Sequence, residues 1–312
     1  MTTSKAAREA YQETLIALGA ENPNIVVLDA DVATSTLTAG FGKAYPERFF
    51  SVGIAEADMA GIAAGFAASG KTPFISTFAI FMTGRAYDQI RNSIAYPKMN
   101  VKIVATHAGL TVGEDGATHQ SVEDIGLMRG IPNMAVIAPA DAVETAAAVR
   151  MAAAYQGPVY IRMGRSAIPV LFGDDYKLEW GKANVMRQGK DITLAATGMM
   201  TALTLEAADQ LAAEGIDAEV INVPFIKPFD NAAILASVQK TGAIVTAEEH
   251  SILNGLGSAV AELLSEQFPA PLQRVGLNDT FGESGKPEAL LEKYGLTAAH
   301  IVQAAKAVLA RK

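Results

Sequence analysis

Val101-Lys102-Ile103-Val104-Ala105-Thr106-His107-Ala108-Gly109-Leu110-Thr111-Val112-Gly113-Glu114-Asp115-Gly116-Ala117-Thr118-His119-Gln120 passes from a short apolar run into a polar segment punctuated by glycine. The run Val101 to Ala105 reads as a buried strand, and the glycines after it allow the tight turns of a loop. Two of the chain's four histidines fall in that loop. Open α/β sheets keep their ligands at the carboxyl ends of their strands, so the stretch predicts both an architecture and the edge where a site belongs. Taken one residue at a time, the same loop could be solvated, with Gly for turning and Asp and Thr for caps.

Working outward, Asn24 to Leu28, Met134 to Ile137 and Val159 to Arg162 read as further strands, with alanine-rich helices over 61–68 and 143–154. A second series of apolar runs covers 191–196, 218–223 and 243–247. Between the two series, the polar connection Gly173-Asp174-Asp175-Tyr176-Lys177 through Gly181-Lys182 interrupts the apolar periodicity. The expected fold class is therefore α/β, with two domains, each a mostly parallel sheet flanked by helices. The expected boundaries are 1–172, a linker at 173–190, and 191–312.

Upstream, Ser51-Val52-Gly53-Ile54-Ala55-Glu56-Ala57-Asp58-Met59 sets one acid at the head of an apolar helical run. Such an acid is ordinarily a first-turn residue favoured by the helix dipole. Placed among apolar neighbours it also resists ionisation, and can give a proton to a ligand nitrogen. Phe78 and Phe81, in Thr77-Phe78-Ala79-Ile80-Phe81, would ordinarily be core, yet beside such an acid they suit a flat heterocycle.

Together the runs GIAEADM, STFAIF, ATHAGLTVGEDGATHQ and IPNMAVIAPAD resemble, in order and spacing, the pyrimidine-binding part of the transketolase family of thiamine diphosphate enzymes. The resemblance extends from Ala7-Arg8 to Phe281-Gly282-Glu283-Ser284-Gly285-Lys286. It implies that Glu56 hydrogen-bonds N1′ of the cofactor's aminopyrimidine, that Phe81 stacks on that ring with Phe78 beside it, and that a two-carbon ketol unit passes from a ketose to an aldose. By the same resemblance His107 and His119 face the reacting carbons, and Asp115 reads the hydroxyl beside the carbonyl. Arg8, Ser35 and Arg165 match positions that hold a sugar phosphate, a task for which Arg offers a planar fork of donors. Without the match, Arg8 would be a solvated helix residue.

Full-length transketolases usually flank the glutamate with Arg and His, where this chain has Ala55 and Ala57, and Gly84 stands where an aromatic is common. The family holds Mg2+ and the diphosphate with a Gly-Asp-Gly motif, which this sequence lacks. The metal ligands are therefore expected from a partner chain, the amino-terminal transketolase section carrying Gly-Asp-Gly. The chain reads as the carboxy-terminal section of a split enzyme, dimerising with itself inside an α2β2 assembly. Alternatives are a 1-deoxyxylulose-5-phosphate synthase-like chain, to which Ala86-Tyr87-Asp88-Gln89 is close, and a 2-oxoacid dehydrogenase E1 β-type subunit. A non-catalytic subunit that kept the fold is a third, and the joint retention of Glu56, His107, Asp115 and His119 argues against it.

The 312 residues, half hydrophobic and 19% charged, suffice for two cored domains. A net charge of −8 argues against broad attraction to nucleic acid, so anionic sugars need local arginines. No apolar run is long enough to span a bilayer, which predicts no membrane partner. Zero cysteine and the absence of an apolar leader fit a cytoplasmic protein. In the second half, Gly255-Leu256-Gly257 lacks the third glycine of a dinucleotide fingerprint and reads as tight helix-to-strand packing, with His250 structural or at an interface.

Overall fold

The computed structural model describes residues 3–173 and 175–312. Asp174 of the expected linker, and the first two residues of the expected amino-terminal domain, lie outside the described residues.

In chain order the strands are β1 (Ser4–Ala6), β2 (Ile25–Asp29), β3 (Phe49–Ser51), β4 (Thr72–Phe78), β5 (Lys102–Thr106), β6 (Ala135–Ile137) and β7 (Val159–Arg162). They continue with β8 (Ala167–Pro169), β9 (Asn184–Arg187), β10 (Ile192–Ala196), β11 (Ala218–Asn222), β12 (Phe225–Lys227), β13 (Ile244–Ser251) and β14 (Leu272–Leu277). One sheet has the order β12-β6-β7-β5-β4-β2-β3, the other β14-β13-β10-β11-β9, and β1 pairs with β8. Both large sheets are parallel except for one edge strand each, β12 and β9. Parallel strands need helical crossovers that cover both faces, which is why β2, β5, β7 and β10 read as unbroken apolar runs and are buried along their whole length.

Local chemistry sets the helix ends. Asp141 caps helix Ala142–Ala154 by accepting from Glu144 N at 2.7 Å, and Asp230 caps Asn231–Thr241 by accepting from Ala233 N. Gly242, at φ 73°, ends the latter helix in the left-handed turn that glycine adopts at no steric cost.

The two sheets share a core. One apolar cluster runs from Leu28, Ile75 and Ile103 through Tyr160 to Ile226 and Val260. β12, although it follows β11 in the chain, adds antiparallel to β6 and closes the edge of the first sheet. The connecting segment also packs: Trp180 stacks on Tyr155 at 4.1 Å between ring centres and meets Phe225 edge-on at 5.2 Å. Helix Glu56–Ala68 buries Met59, Ala60 and Ala63 and turns Gly61, Ile62 and Gly65 outward. No helix among the described residues is long and apolar enough to cross a membrane.

Candidate active site at the carboxyl edge of the first sheet

Because β2, β3, β4, β5 and β7 run parallel, the segments that follow them emerge along one edge of the sheet. Glu56 follows β3, Ser35 follows β2, Phe78 and Phe81 end and follow β4, His107, Asp115 and His119 follow β5, and Arg165 follows β7. Arg8 joins them from the first turn of helix Ala7–Glu21 and donates from Nη1 to the Ser35 carbonyl at 2.9 Å.

At the centre is an aromatic stack. Phe78 is buried and lies 3.9 Å from the His107 ring, nearly parallel to it, and 5.7 Å from the Phe81 ring. His119 meets Phe81 edge-on at 5.3 Å. His107 is 3% exposed and adopts φ 56°, an unusual backbone for a residue with a Cβ, which folds its ring back over Phe78. Its Nδ1 lies 2.8 Å from Thr106 Oγ1. Burial first, then the positive fields of Arg8, Arg165 and His119, lower its pKa from the ordinary value to about 3. The imidazole is neutral at pH 7.

Glu56 is the first residue of its helix and 4% exposed. Its expected apolar isolation needs correction, because Arg85 Nη1 donates to Glu56 Oε1 at 2.9 Å. The Arg85 guanidinium also lies over the Phe81 ring, 4.1 Å from its centre. A flat group that carries N–H donors thus stacks on Phe81 and bonds to the Glu56 carboxyl at the same time. Sequence reading missed Arg85, and the available signal was its place four residues beyond Phe81, one helical turn away.

Arg165 donates to the Val112 carbonyl at 2.7 Å and sits 3.8 Å from Asp115, both side chains partly exposed. Burial, and then the nearby Arg165, lower the pKa of Arg8, whose buried Nε makes no hydrogen bond among the described residues. Two neighbouring guanidiniums, one with an unsatisfied donor and the other beside Asp115 and Glu114, supply charge-assisted donors in a chain of net charge −8.

Residues 3–170 match the family model for the transketolase pyrimidine binding domain, and residues 181–301 match the model for the transketolase C-terminal domain. The chain is 46% identical over 305 residues to the 6-deoxy-6-sulfo-D-fructose transketolase subunit SqwH of Clostridium sp., covering 98% of this chain and 95% of that one. It is 38% identical over 292 residues to one of the subunits of an apulose-4-phosphate transketolase from Phocaeicola vulgatus, with 93% of each covered. A solved structure described as a split gene transketolase, inactive beta4 tetramer, superposes with a TM-score of 0.92 at 56% identity and 98% coverage of both chains.

Proposed function

Because this chain belongs to the transketolase family, we propose that it is the carboxy-terminal subunit of a split enzyme that moves a two-carbon ketol unit from a ketose to an aldose with thiamine diphosphate. The observation that carries the reading is the gathering along one sheet edge of a buried carboxyl, an aromatic platform and two imidazoles, with two guanidiniums beside them. The relatives that are named subunits of transketolases support it over the synthase and dehydrogenase alternatives.

The residues fit the pyrimidine half of the cofactor, since the guanidinium of Arg85 already makes the pair of contacts that an aminopyrimidine needs, a stack on Phe81 and a hydrogen bond to Glu56. When bound, thiamine diphosphate supplies the nucleophilic carbon and the electron sink that cleave the bond next to a ketose carbonyl. Glu56 would hold a proton at the pyrimidine N1′ and Phe81 with Phe78 would flank the ring, in the place that the half-exposed Arg85 guanidinium takes here. His107 and His119 serve proton transfers and hydrogen bonds at the reacting carbons, His107 as a neutral ring. Asp115 takes the hydroxyl beside the carbonyl. Arg8, Ser35 and Arg165 hold an anionic sugar terminus, and the sulfonated and phosphorylated sugars in the relatives' names share that feature.

The partner would be an amino-terminal section whose Gly-Asp-Gly motif holds Mg2+ and the diphosphate, in an α2β2 assembly around a homodimer of this chain. The inactive all-β tetramer of the structural neighbour supports self-association without turnover. We divide the chain at 1–172, 173–190 and 191–312, with β12 crossing that division, and assign a cytoplasmic setting on the cysteine-free composition.

Reconstitution tests the reading. The chain alone, given thiamine diphosphate, Mg2+ and a ketose–aldose pair, is expected to transfer nothing, and the mixture with its partner to be active and dependent on both additions. Turnover by the lone chain, or none by the mixture over a panel of ketoses, would reject it.

A further inference from the structure

The loop that carries Asp115 and follows His107 is held in part from outside its own sheet. Gly109 at φ 83° and Gly113 at φ 84° bracket Leu110–Val112, and both glycines take backbone conformations that give the segment little stiffness of its own. Four side chains anchor it, one of them Ser166, whose hydroxyl donates to Thr111 O at 3.4 Å. Arg165 donates to Val112 O, and Gln120 Nε2 lies 3.2 Å from both Leu110 O and Gly113 O. The same amide reaches Glu283 O at 2.9 Å. The fourth anchor is Glu249, on β13 of the second sheet, whose Oε1 accepts from Thr111 N at 2.7 Å.

Glu249 is 2% exposed, and its carboxyl lies flat against Gly109, where a Cβ would stand 2.3 Å from the Glu249 Cδ. Arg162, at the end of β7, donates to the Glu249 carbonyl at 2.8 Å and pairs with buried Asp124 at 2.9 Å, so the backbone at Glu249 is tied to the first sheet. Among the described residues, Oε2 of Glu249 and the hydroxyl of Thr111 are both buried and make no hydrogen bond. A buried carboxylate is costly to keep unless its placement is used, and here, among the described residues, it bonds to the site loop.

We propose that Glu249 is a positioning residue: from the second sheet it fixes the backbone at Thr111, and through it the loop that sets Asp115 and Arg165 for the sugar. The inference rests on the functional reading above and assigns part of its substrate geometry to the carboxy-terminal half. Nothing in the sequence joined that half to the site.

Three substitutions separate positioning from bulk stability. Glu249→Gln keeps an oxygen for Thr111 N, and its new amide N–H faces the unpartnered Thr111 hydroxyl, so it should behave as wild type. Glu249→Asp pulls the acceptor back by one carbon, and Glu249→Ala removes it. In the assembled complex, KM for the ketose should rise about tenfold to a hundredfold in the Ala variant, an intermediate amount in Asp, and less than about threefold in Gln, with half-saturation by thiamine diphosphate unchanged throughout. In the chain alone, hydrogen exchange over 107–120 should speed up in Ala and Asp but not Gln, with β10 and β11 as protected as before.

Glu249→Gln as damaging as Glu249→Ala, or exchange over 107–120 unmoved in Glu249→Ala, would overturn the proposal. So would an active complex whose KM ignores the Ala substitution. The exchange arm needs no partner and decides the matter on the chain itself, whereas a wild-type complex without transfer would defeat the functional reading instead.

Discussion

At the scale of single residues, the site is a question of which charges are quenched. Glu56 is paired with Arg85, so replacing the acid tests its role without opening the core. Glu56→Gln in the assembled enzyme should lower kcat/KM by at least about a hundredfold, the low end of what a positioned proton-transfer group contributes, with the complex eluting at its normal size. Rates near wild type would reject the assignment. His107 gives a different signature, because its lowered pKa means that the unfolded chain takes up a proton, below about pH 6.5, that the folded chain refuses down to about pH 3. Its contribution is complete above pH 6.5 and is lost as the pH falls, by up to about 1.4 kcal/mol per pH unit. Urea melts between pH 4.5 and 6.5 should show a shallower loss in His107→Asn, and parallel slopes would contradict the burial argument. The histidines, Asp115 and the two phenylalanines were legible because they lie on one stretch of chain each, in motif order. The Arg85 pair spans 29 positions and the Thr111–Glu249 bond 138, and no local period reports either.

Elements obey local rules where a face is buried and depart from them where it is not. Apolar runs predicted β5, β7, β10 and β13 to within a few residues, since strands buried on both faces have no polar alternation to confuse the reading. β5 nevertheless carries Lys102, fully buried, with Nζ donating to Asn100 Oδ1 and to the Tyr155 and Gly157 carbonyls at 2.6–2.8 Å. Lys102→Met should cost about 2–4 kcal/mol in urea unfolding, because the Tyr155 and Gly157 carbonyls lose their donor, while Asn100 Oδ1 keeps the Gly157 N–H. Helix Glu56–Ala68 offers the opposite case. At Gly61 and Gly65 an added Cβ would meet nothing within 4 Å, so these glycines weaken the helix with no packing reason inside this chain. Alanine at either position should stabilise the isolated chain by about 0.5–1 kcal/mol, read as a higher melting temperature, and a drop would mean that the helix face is not open.

For the whole molecule, the sequence suggested a polar linker between two cored domains, and the connecting stretch itself packs against the rest of the chain. Tyr176 and Trp180 lie in a stretch whose charges masked them, yet Trp180 stacks on Tyr155, and Tyr176 donates to Glu144 Oε1 at 2.5 Å. Lys177 and Lys182 are exposed within that stretch, so brief trypsin treatment should cut there and leave two fragments that co-elute until denaturant is added. Fragments that part in plain buffer would refute the shared core. The lone strand that crosses over, β12, sharpens the point. A gene cut short after the connection would leave the Ala135–Ile137 amides facing water as a bare rim, and such a half-protein is headed for fibrous self-addition before it can serve as a soluble module.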